Sequence, residues 1–357
     1  MRRAILLDEF TRLGGGQVLG IHIVRALSDS YKFDLMTDRY HEKLDSSIFG
    51  KVTETRYMYH EGINPVKVAF GVLKLRQDLK RHRKDMKKYD LSINNHPNIF
   101  LYSACVNVLH EPLLRESMKN GKFQKSILSE VIKTLGIYSI YDKANIVVNG
   151  KYMLEINKTE NRYLSISPRV HIITPPVSYP ETVEFSAKKK IVLTFGRINP
   201  DKGLETVIEV ARKVNCKFVI AGAVNEGSEN YYYKLMNEKP RNVVIVKNPS
   251  ELEKGKLMSS AKIYLHTKPY ESFGLSVAEA IGHGCIPIVP KSGGQWIDII
   301  ANGKYGYGYD AIDEATEIIK EAMNYDSVSI QKIYDSRQRF SFQRFKDDWE
   351  RYVSEIS

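Results

Sequence analysis

Pro269-Tyr270-Glu271-Ser272-Phe273-Gly274-Leu275-Ser276-Val277-Ala278-Glu279-Ala280 is the stretch on which the reading of this chain turns. Two carboxylates, Glu271 and Glu279, stand eight positions apart with a Phe-Gly-Leu turn between them. Ahead lies Ile263-Tyr264-Leu265-His266-Thr267, a short apolar run that reads as a buried strand. Behind lies a small-residue helix, Val277 to His283, closed by Gly284, and then a second apolar strand, Ile286 to Val289. Strand, loop, helix and strand make one turn of a parallel α/β sheet. The loop therefore falls at the carboxyl end of a strand, where open α/β sheets bind ligands. Gly274 permits close approach of the backbone, and the amides that open the helix favour an anion. Glu271 and Glu279 would flank that anion with acceptors suited to hydroxyls. A phosphate between two hydroxyl-rich groups describes a nucleotide sugar.

Elements of the same kind run through the rest of the chain. Ala4 to Leu7 predicts a first strand delivering the glycine loop Gly14-Gly15-Gly16 to a helix that carries Val18, Ile21, Val24 and Leu27. The spacing is not Gly-x-Gly-x-x-Gly, and no acidic ribose ligand ends a second strand, so a dehydrogenase fingerprint is not met. Strands are expected at Phe33 to Met36, Leu91 to Asn94 and Cys105 to His110, the last running into Glu111-Pro112. Two more are expected at Ala144 to Gly150 and Ile172 to Val177, with Pro175-Pro176 ending the latter because proline cannot donate to a sheet. Polar, aperiodic Ser178 to Ala187 reads as a linker. A second series of strands starts at Lys188 to Phe195 and continues at Phe218, Val243, Ile263 and Ile286, alternating with helices. Its first strand leads into Gly196-Arg197-Ile198-Asn199-Pro200-Asp201-Lys202-Gly203, which places fixed positive charges at a strand terminus. Ser341 to Ile356 is a helix with Phe342, Phe345, Trp349 and Val353 along one stripe.

The pattern Glu-x-Phe-Gly-x-x-x-x-Glu resembles the paired-glutamate motif of family 4 glycosyltransferases, retaining enzymes with the GT-B fold. Three further motifs follow the family's order: Gly15-Gly16, His110-Glu111-Pro112, and Arg197 with Lys202. The resemblance implies two Rossmann-like doubly wound domains facing a cleft, with the C-terminal helix crossing back to the first. Residues 1–178 with 341–357 would form an acceptor-binding domain, and 188–335 a nucleotide-sugar-binding domain. It implies catalytic roles for His110, Arg197, Lys202 and Glu271, and donor contacts from Gly15, Gly16, Phe273, Gly274, Leu275 and Glu279. Arg197 and Lys202 would stabilise the departing diphosphate without a metal ion. His110-Glu111-Pro112 is similar to members acting on lipid-linked acceptors. Lys291-Ser292-Gly293-Gly294-Gln295 followed by Asp298 is similar to mannosyltransferases extending lipid-linked oligosaccharides. The donor is therefore expected to be a GDP- or UDP-linked hexose, and the acceptor lipid-linked or a glycan.

Composition bounds these readings. At 357 residues, two domains of ordinary size are expected. Hydrophobic content of 43% with 27% charged residues fits a globular protein, and no apolar run approaches membrane-spanning length. The N-terminus reads as a strand and not as a signal peptide. Cys105, Cys216 and Cys285 lie far apart in apolar surroundings, as reduced core thiols of a cytoplasmic protein would. The net charge of +11 sits almost wholly in the first half of the chain. Much of it lies in 74–88, where basic residues flank an apolar stripe, so peripheral attachment to an anionic membrane is an expectation. No cofactor, metal site or nucleic-acid partner is expected. No Asp-x-Asp, His-Glu-x-x-His or Gly-x-Ser-x-Gly occurs, which removes metal-dependent GT-A, zinc protease and serine hydrolase chemistry. Two alternatives stay open: a nucleotide-sugar epimerase of the same fold, and a non-enzymatic nucleic-acid-binding or scaffold protein.

Overall fold

The computed structural model describes residues 1–8, 15–37, 46–54, 86–96 and 104–356. Of the basic stretch 74–88, only 86–88 falls among them, so the expected amphipathic helix lies outside the described residues. The chain divides into two compact units, Met1–Pro176 with Phe342–Ser357, and Val177–Ser341.

The first unit is a seven-stranded sheet with every neighbour parallel, in the order β3-β2-β1-β4-β5-β8-β9. Its strands are β1 (Arg2–Leu7), β2 (Tyr31–Thr37), β3 (Val52–Glu54), β4 (Leu91–Asn94), β5 (Val106–Leu109), β8 (Asn145–Val148) and β9 (Arg169–Ile172). A two-stranded hairpin, β6 (Met118–Lys119) and β7 (Lys122–Phe123), projects between β5 and β8. Helices α1 (Gly15–Leu27), α2 (Ile127–Thr134) and α3 (Lys151–Leu164) link the strands. The central strands are buried on both faces, which is why they read as continuous apolar runs. β9 corrects the expectation at Ile172 to Val177. The strand ends where that run begins, and beyond it Ile173 N–H still donates to the Val148 carbonyl at 3.0 Å. Arg169, His171 and Ile172 are exposed, so this edge strand carries no apolar alternation to read.

The second unit repeats the scheme with six strands, all neighbours parallel, in the order β12-β11-β10-β13-β14-β15. They are β10 (Lys189–Phe195), β11 (Lys217–Gly222), β12 (Val243–Lys247), β13 (Ala261–Leu265), β14 (Ile286–Pro290) and β15 (Tyr307–Tyr309). The helices are α4 (Glu205–Lys213), α5 (Glu229–Glu238), α6 (Glu251–Ser260), α7 (Leu275–Gly282), α8 (Ile312–Ala322) and α9 (Ser327–Asp335). Buried Val, Ile and Leu from these strands form one continuous core with Val207, Val277, Ile281 and Ile319 of the helices. Lys188 enters that core and donates to the carbonyls of Met258, Ala261 and His283. Its charge is thereby spent on the ends of α6 and α7, and burial lowers its pKa.

The terminal helix α10 (Phe342–Ile356) returns to the first unit and packs along α1. Phe345, Trp349, Tyr352 and Val353 join the core of Ile23, Leu27, Phe33 and Leu35. Both sheets are doubly wound, and in each the strand order reverses beside the first strand. The reversal falls between β1 and β4 in one unit and between β10 and β13 in the other. Ligands bind at such switch points, outside the carboxyl ends of the strands.

Candidate active site

In the second unit, the two loops that leave the switch point are stitched together. After β10, a 3-10 turn (Pro200–Lys202) ends at Gly203 with φ +61°. After β13, Thr267 donates through Oγ1 to the Lys202 carbonyl at 2.7 Å. This brings Lys202 Nζ within 2.7 Å of Glu271 Oε2, from residues 69 apart in sequence. Lys268 Nζ lies 3.7 Å from the other Glu271 oxygen and 3.1 Å from Asp201 Oδ2. Burial raises the Glu271 pKa, but Lys202, Lys268 and His266 outweigh it and hold the carboxyl at about 2. His266 is buried at the end of β13, with Nε2 4.0 Å from Glu271 Oε2. Burial brings its pKa down to about 4, so its ring is neutral near pH 7.

The Glu271 loop is clamped from one side by Gly293-Gly294. Gly294 N–H donates to the Glu271 carbonyl at 2.7 Å. A Cβ on Gly293 would lie 2.7 Å from the Glu271 amide, and one on Gly294 would lie 2.5 Å from the Ser272 carbonyl. Only glycines allow this approach, and Gly293 has φ +74° as well. Gln295, fully buried in a π-helical turn (Gln295–Ile299), donates to the Lys268 carbonyl at 3.1 Å. Gly274, at φ +103°, caps α7, and Phe273 is buried edge-on against Phe340. Leu275 opens the helix and is partly buried. The backbone of this loop is therefore fixed from both ends before any ligand arrives.

Glu279 lies one turn into α7 and is paired with Lys254 of α6 at 2.7 Å, not with the Lys202 cluster. Lys254 also lies over the ring of Phe195, at the end of β10. Burial raises the Glu279 pKa and Lys254 opposes the shift. Arg197 is exposed, and no ion pair or side-chain hydrogen bond engages it among the described residues. The structure thus joins Lys202 to Glu271 directly. Lys254, Lys268 and His266 are additions that the sequence reading passed over. Lys268 stands three residues before Glu271, yet only the fold shows that it turns back on it.

The first unit carries its own polar cluster, at the ends of β1, β4 and β5. His110 follows β5, and its Nε2 is 2.8 Å from Asn95 Oδ1. Asn95 Nδ2 donates to Asp8 Oδ2 at 2.7 Å and to the Gly16 carbonyl at 2.9 Å. His96 Nε2 is 3.0 Å from Asp8 Oδ1, and its ring centroid is 5.5 Å from that of His110. Gly15 and Gly16 form the first turn of α1, and a Cβ on Gly16 would meet both imidazoles at 3.5 Å. Burial, with His96 beside it, brings the His110 pKa down to about 3.

The turn after His110 is held by a buried carboxylate. Glu160 of α3 accepts from the amides of Leu113 and Leu114 at 3.2 and 2.7 Å. Burial raises its pKa from 4.5 to about 7 against the pull of those two donors. A raised carboxyl pKa favours the folded state below the unfolded value, and that contribution is lost as pH rises through the folded one. Two and a half pKa units correspond to about 3 kcal/mol. Relative to Glu160→Gln, the wild type should therefore lose up to that amount between pH 4.5 and 8. Urea unfolding of both proteins across this range measures it, and a difference that stayed flat would refute the shifted carboxyl.

Residues 179–339 match the family described as Glycosyl transferases group 1. A GDP-Man:Man(3)GlcNAc(2)-PP-Dol alpha-1,2-mannosyltransferase of Dictyostelium discoideum is 23% identical over 258 residues, covering 65% of this chain and 50% of that protein. A probable sucrose-phosphate synthase of Thermosipho melanesiensis is 27% identical over 221 residues, 56% of this chain and 51% of that one. The chain spans about half the length of these curated relatives. Among solved structures, Anabaena Alr3699/HepE in complex with UDP-glucose is similar over 99% of this chain and 100% of that chain, with TM-score 0.71 and 15% identity. WaaG, a glycosyltransferase involved in lipopolysaccharide biosynthesis, covers 99% of both chains with TM-score 0.70 and 15% identity. The fold is GT-B, with two Rossmann-like units and a C-terminal helix that returns to the first. Among the described residues, no helix is long and apolar enough to cross a membrane.

Proposed function

We propose that this protein is a retaining, metal-independent glycosyltransferase. It takes a hexose from a GDP- or UDP-linked donor and passes it to a lipid-linked or glycan acceptor. The observation that carries this reading is the Lys202–Glu271–Lys268 cluster, set at the second unit's switch point within the segment that matches the glycosyl transferases group 1. A diphosphate leaving group gains negative charge as the glycosidic bond breaks. Lys202 and Lys268 meet that charge from fixed positions, and exposed Arg197, on the same loop as Lys202, adds a third positive charge. Glu271, held ionised, accepts from sugar hydroxyls. Glu279 accepts from the ribose once Lys254 gives way. Proton loss from the acceptor goes to a phosphate oxygen of the leaving group, so the cluster itself needs no dedicated base.

A thermal-shift panel of nucleotide sugars tests the donor assignment. A ligand at 100 times its dissociation constant stabilises by about 2.7 kcal/mol, so the true donor stands out. No shift with any GDP- or UDP-sugar would sink the reading. Formation of an isomeric sugar nucleotide without acceptor would assign an epimerase instead. Transfer should persist in a chelator, and activity that vanished and returned with manganese would refute metal independence.

A further inference from the structure

Lys202 and Lys268 keep Glu271 ionised in the ligand-free protein, and the proposed reaction asks the same two ammonium groups to meet a diphosphate. Glu271 is largely buried, so water does not replace them as partners of the carboxylate. The remaining charge-bearing group set against it is His266. His266 follows β13 directly, and the sheet fixes its backbone. Its N–H donates to the Ile288 carbonyl at 2.9 Å, and its carbonyl accepts from the Tyr309 hydroxyl at 2.8 Å. Nε2 is buried, has no hydrogen-bond partner among the described residues, and lies 4.0 Å from Glu271 Oε2. Buried polar atoms are nearly always paired, so a ring nitrogen left just beyond reach of a carboxylate needs an account. The groups that face the ring supply one. They are Glu271 and Lys268 of its own loop, Lys202 from the loop after β10, and Asp201 behind Lys268. Tyr309 of β15 spends its hydroxyl on the His266 carbonyl. In the ligand-free protein burial, and after it the charges of Lys202 and Lys268, keep the ring neutral against the attraction of Glu271. A diphosphate on the two lysines cancels their repulsion and adds negative charge of its own. Of the influences holding the ring neutral, burial alone remains.

We infer that His266 is a positioning residue that takes up a proton at Nε2 when a nucleoside diphosphate sugar engages Lys202 and Lys268, and so becomes the donor that holds Glu271. The inference deepens the transferase reading and rests on it for the identity of the ligand. The proton comes from solvent and returns there when the nucleotide leaves. A movement of about 1 Å brings Nε2 within hydrogen-bond distance of Oε2. The orphaned nitrogen is then satisfied, and Glu271 stays ionised to receive sugar hydroxyls while both lysines serve the leaving group. Ring and carboxylate titrate as a pair, and the complex binds their shared proton more tightly than the free protein does. Affinity for the nucleotide sugar should therefore strengthen as pH falls below neutrality, by up to about tenfold per pH unit. The gain ends at about 4, where the free ring is protonated as well.

Calorimetric titration of the full chain with UDP-glucose and with GDP-mannose, in buffers of different ionisation enthalpy, counts the protons exchanged on binding. Neither nucleotide sugar carries a group that titrates near neutrality, so those protons belong to the protein. The wild type should take up a fraction of a proton at neutral pH and more as pH falls. His266→Gln keeps a polar side chain that does not titrate. It should take up none, and its affinity should be flat with pH. Nitrogen-15 spectra of the wild type should show the His266 ring passing from the neutral to the protonated pattern when the nucleotide sugar is added. If His266→Gln does not fold, Glu271→Gln keeps the ring but removes the carboxylate it pairs with, and uptake should vanish there too. No uptake by the wild type, equal uptake by a folded His266→Gln, or a ring that stays neutral in the complex overturns the inference. If neither nucleotide sugar binds the wild type at any pH, it is the donor reading that fails, and this inference falls with it.

Discussion

Lys202→Ala is expected to cut sugar transfer at least about a hundredfold while leaving a folded protein. Its ammonium is the only group among the described residues within 3 Å of the Glu271 carboxylate, and it sits at the end of the first strand of the second unit. Removing a preorganised charge that meets a developing anion typically costs about 2.7 to 4 kcal/mol at the transition state. The loss should appear in kcat more than in donor KM, because the charge on the diphosphate grows as the bond breaks. The stability cost should be smaller. Lys202 is about four-fifths buried, but Lys268 stays within 3.7 Å of Glu271 and keeps the carboxylate paired. The Glu271 carboxyl should relax upward from about 2 toward its ordinary value. Its depressed pKa contributes stability above the unfolded value of 4.5 that is lost as pH falls toward 2, so the wild type's advantage over the variant should shrink in acid. Single-turnover rates at saturating donor, with a melting curve on the same sample, give both numbers. A well-folded Lys202→Ala with near-normal turnover would remove Lys202 from the chemistry. Glu271→Ala should behave similarly, with the loss spread into donor binding.

The parts of this site that were legible in the sequence are those whose neighbours are close in the chain. Glu271, Phe273, Gly274 and Glu279 belong to one loop and helix, and their spacing alone predicts a strand-to-helix turn over an anion. The parallel strands were legible because burial on both faces leaves unbroken apolar runs. β3 and β15, three residues each, are too short to leave a pattern, and β9 is an exposed edge. The Asp8–Asn95–His96 cluster was invisible for a different reason. Asp8 and Asn95 are 87 residues apart, and what joins them is the pairing of β1 with β4. Lys254 reads as one more charge on a polar helix until α6 packs its side chain against Glu279. Sequence gives the residue types in such cases, and only strand order gives the neighbours.

Gly222→Ala should abolish stable folding of the second unit, although it adds one methyl group. Gly222 ends β11, and a Cβ there would stand 1.6 Å from the Gly196 carbonyl oxygen and 2.6 Å from its carbon. The obstacle is backbone, so no rotamer change relieves it. Neither strand can retreat cheaply. Gly196 N–H donates to the Ala221 carbonyl at 3.0 Å, Ile198 N–H to the Ala223 carbonyl at 2.8 Å, and Asn248 N–H to Gly222 itself at 2.9 Å. Separating the strands would break that ladder between β10 and β11 and drag Arg197 and Lys202 from the switch point. The cost should exceed the roughly 3 kcal/mol at the upper end of ordinary overpacking. Gly255→Ala supplies the control. It adds the same methyl group inside α6, where nothing lies within 4 Å, and should be neutral or stabilise by up to about 1 kcal/mol. Calorimetry of both variants separates the steric argument from any general intolerance of alanine in this unit. A Gly222→Ala protein melting within a few degrees of the wild type would mean that β10 and β11 approach less closely than their ladder implies. The close approach puts the Gly196 carbonyl where a side chain of β11 would otherwise stand, and so sets where the Arg197 loop begins its path to Lys202.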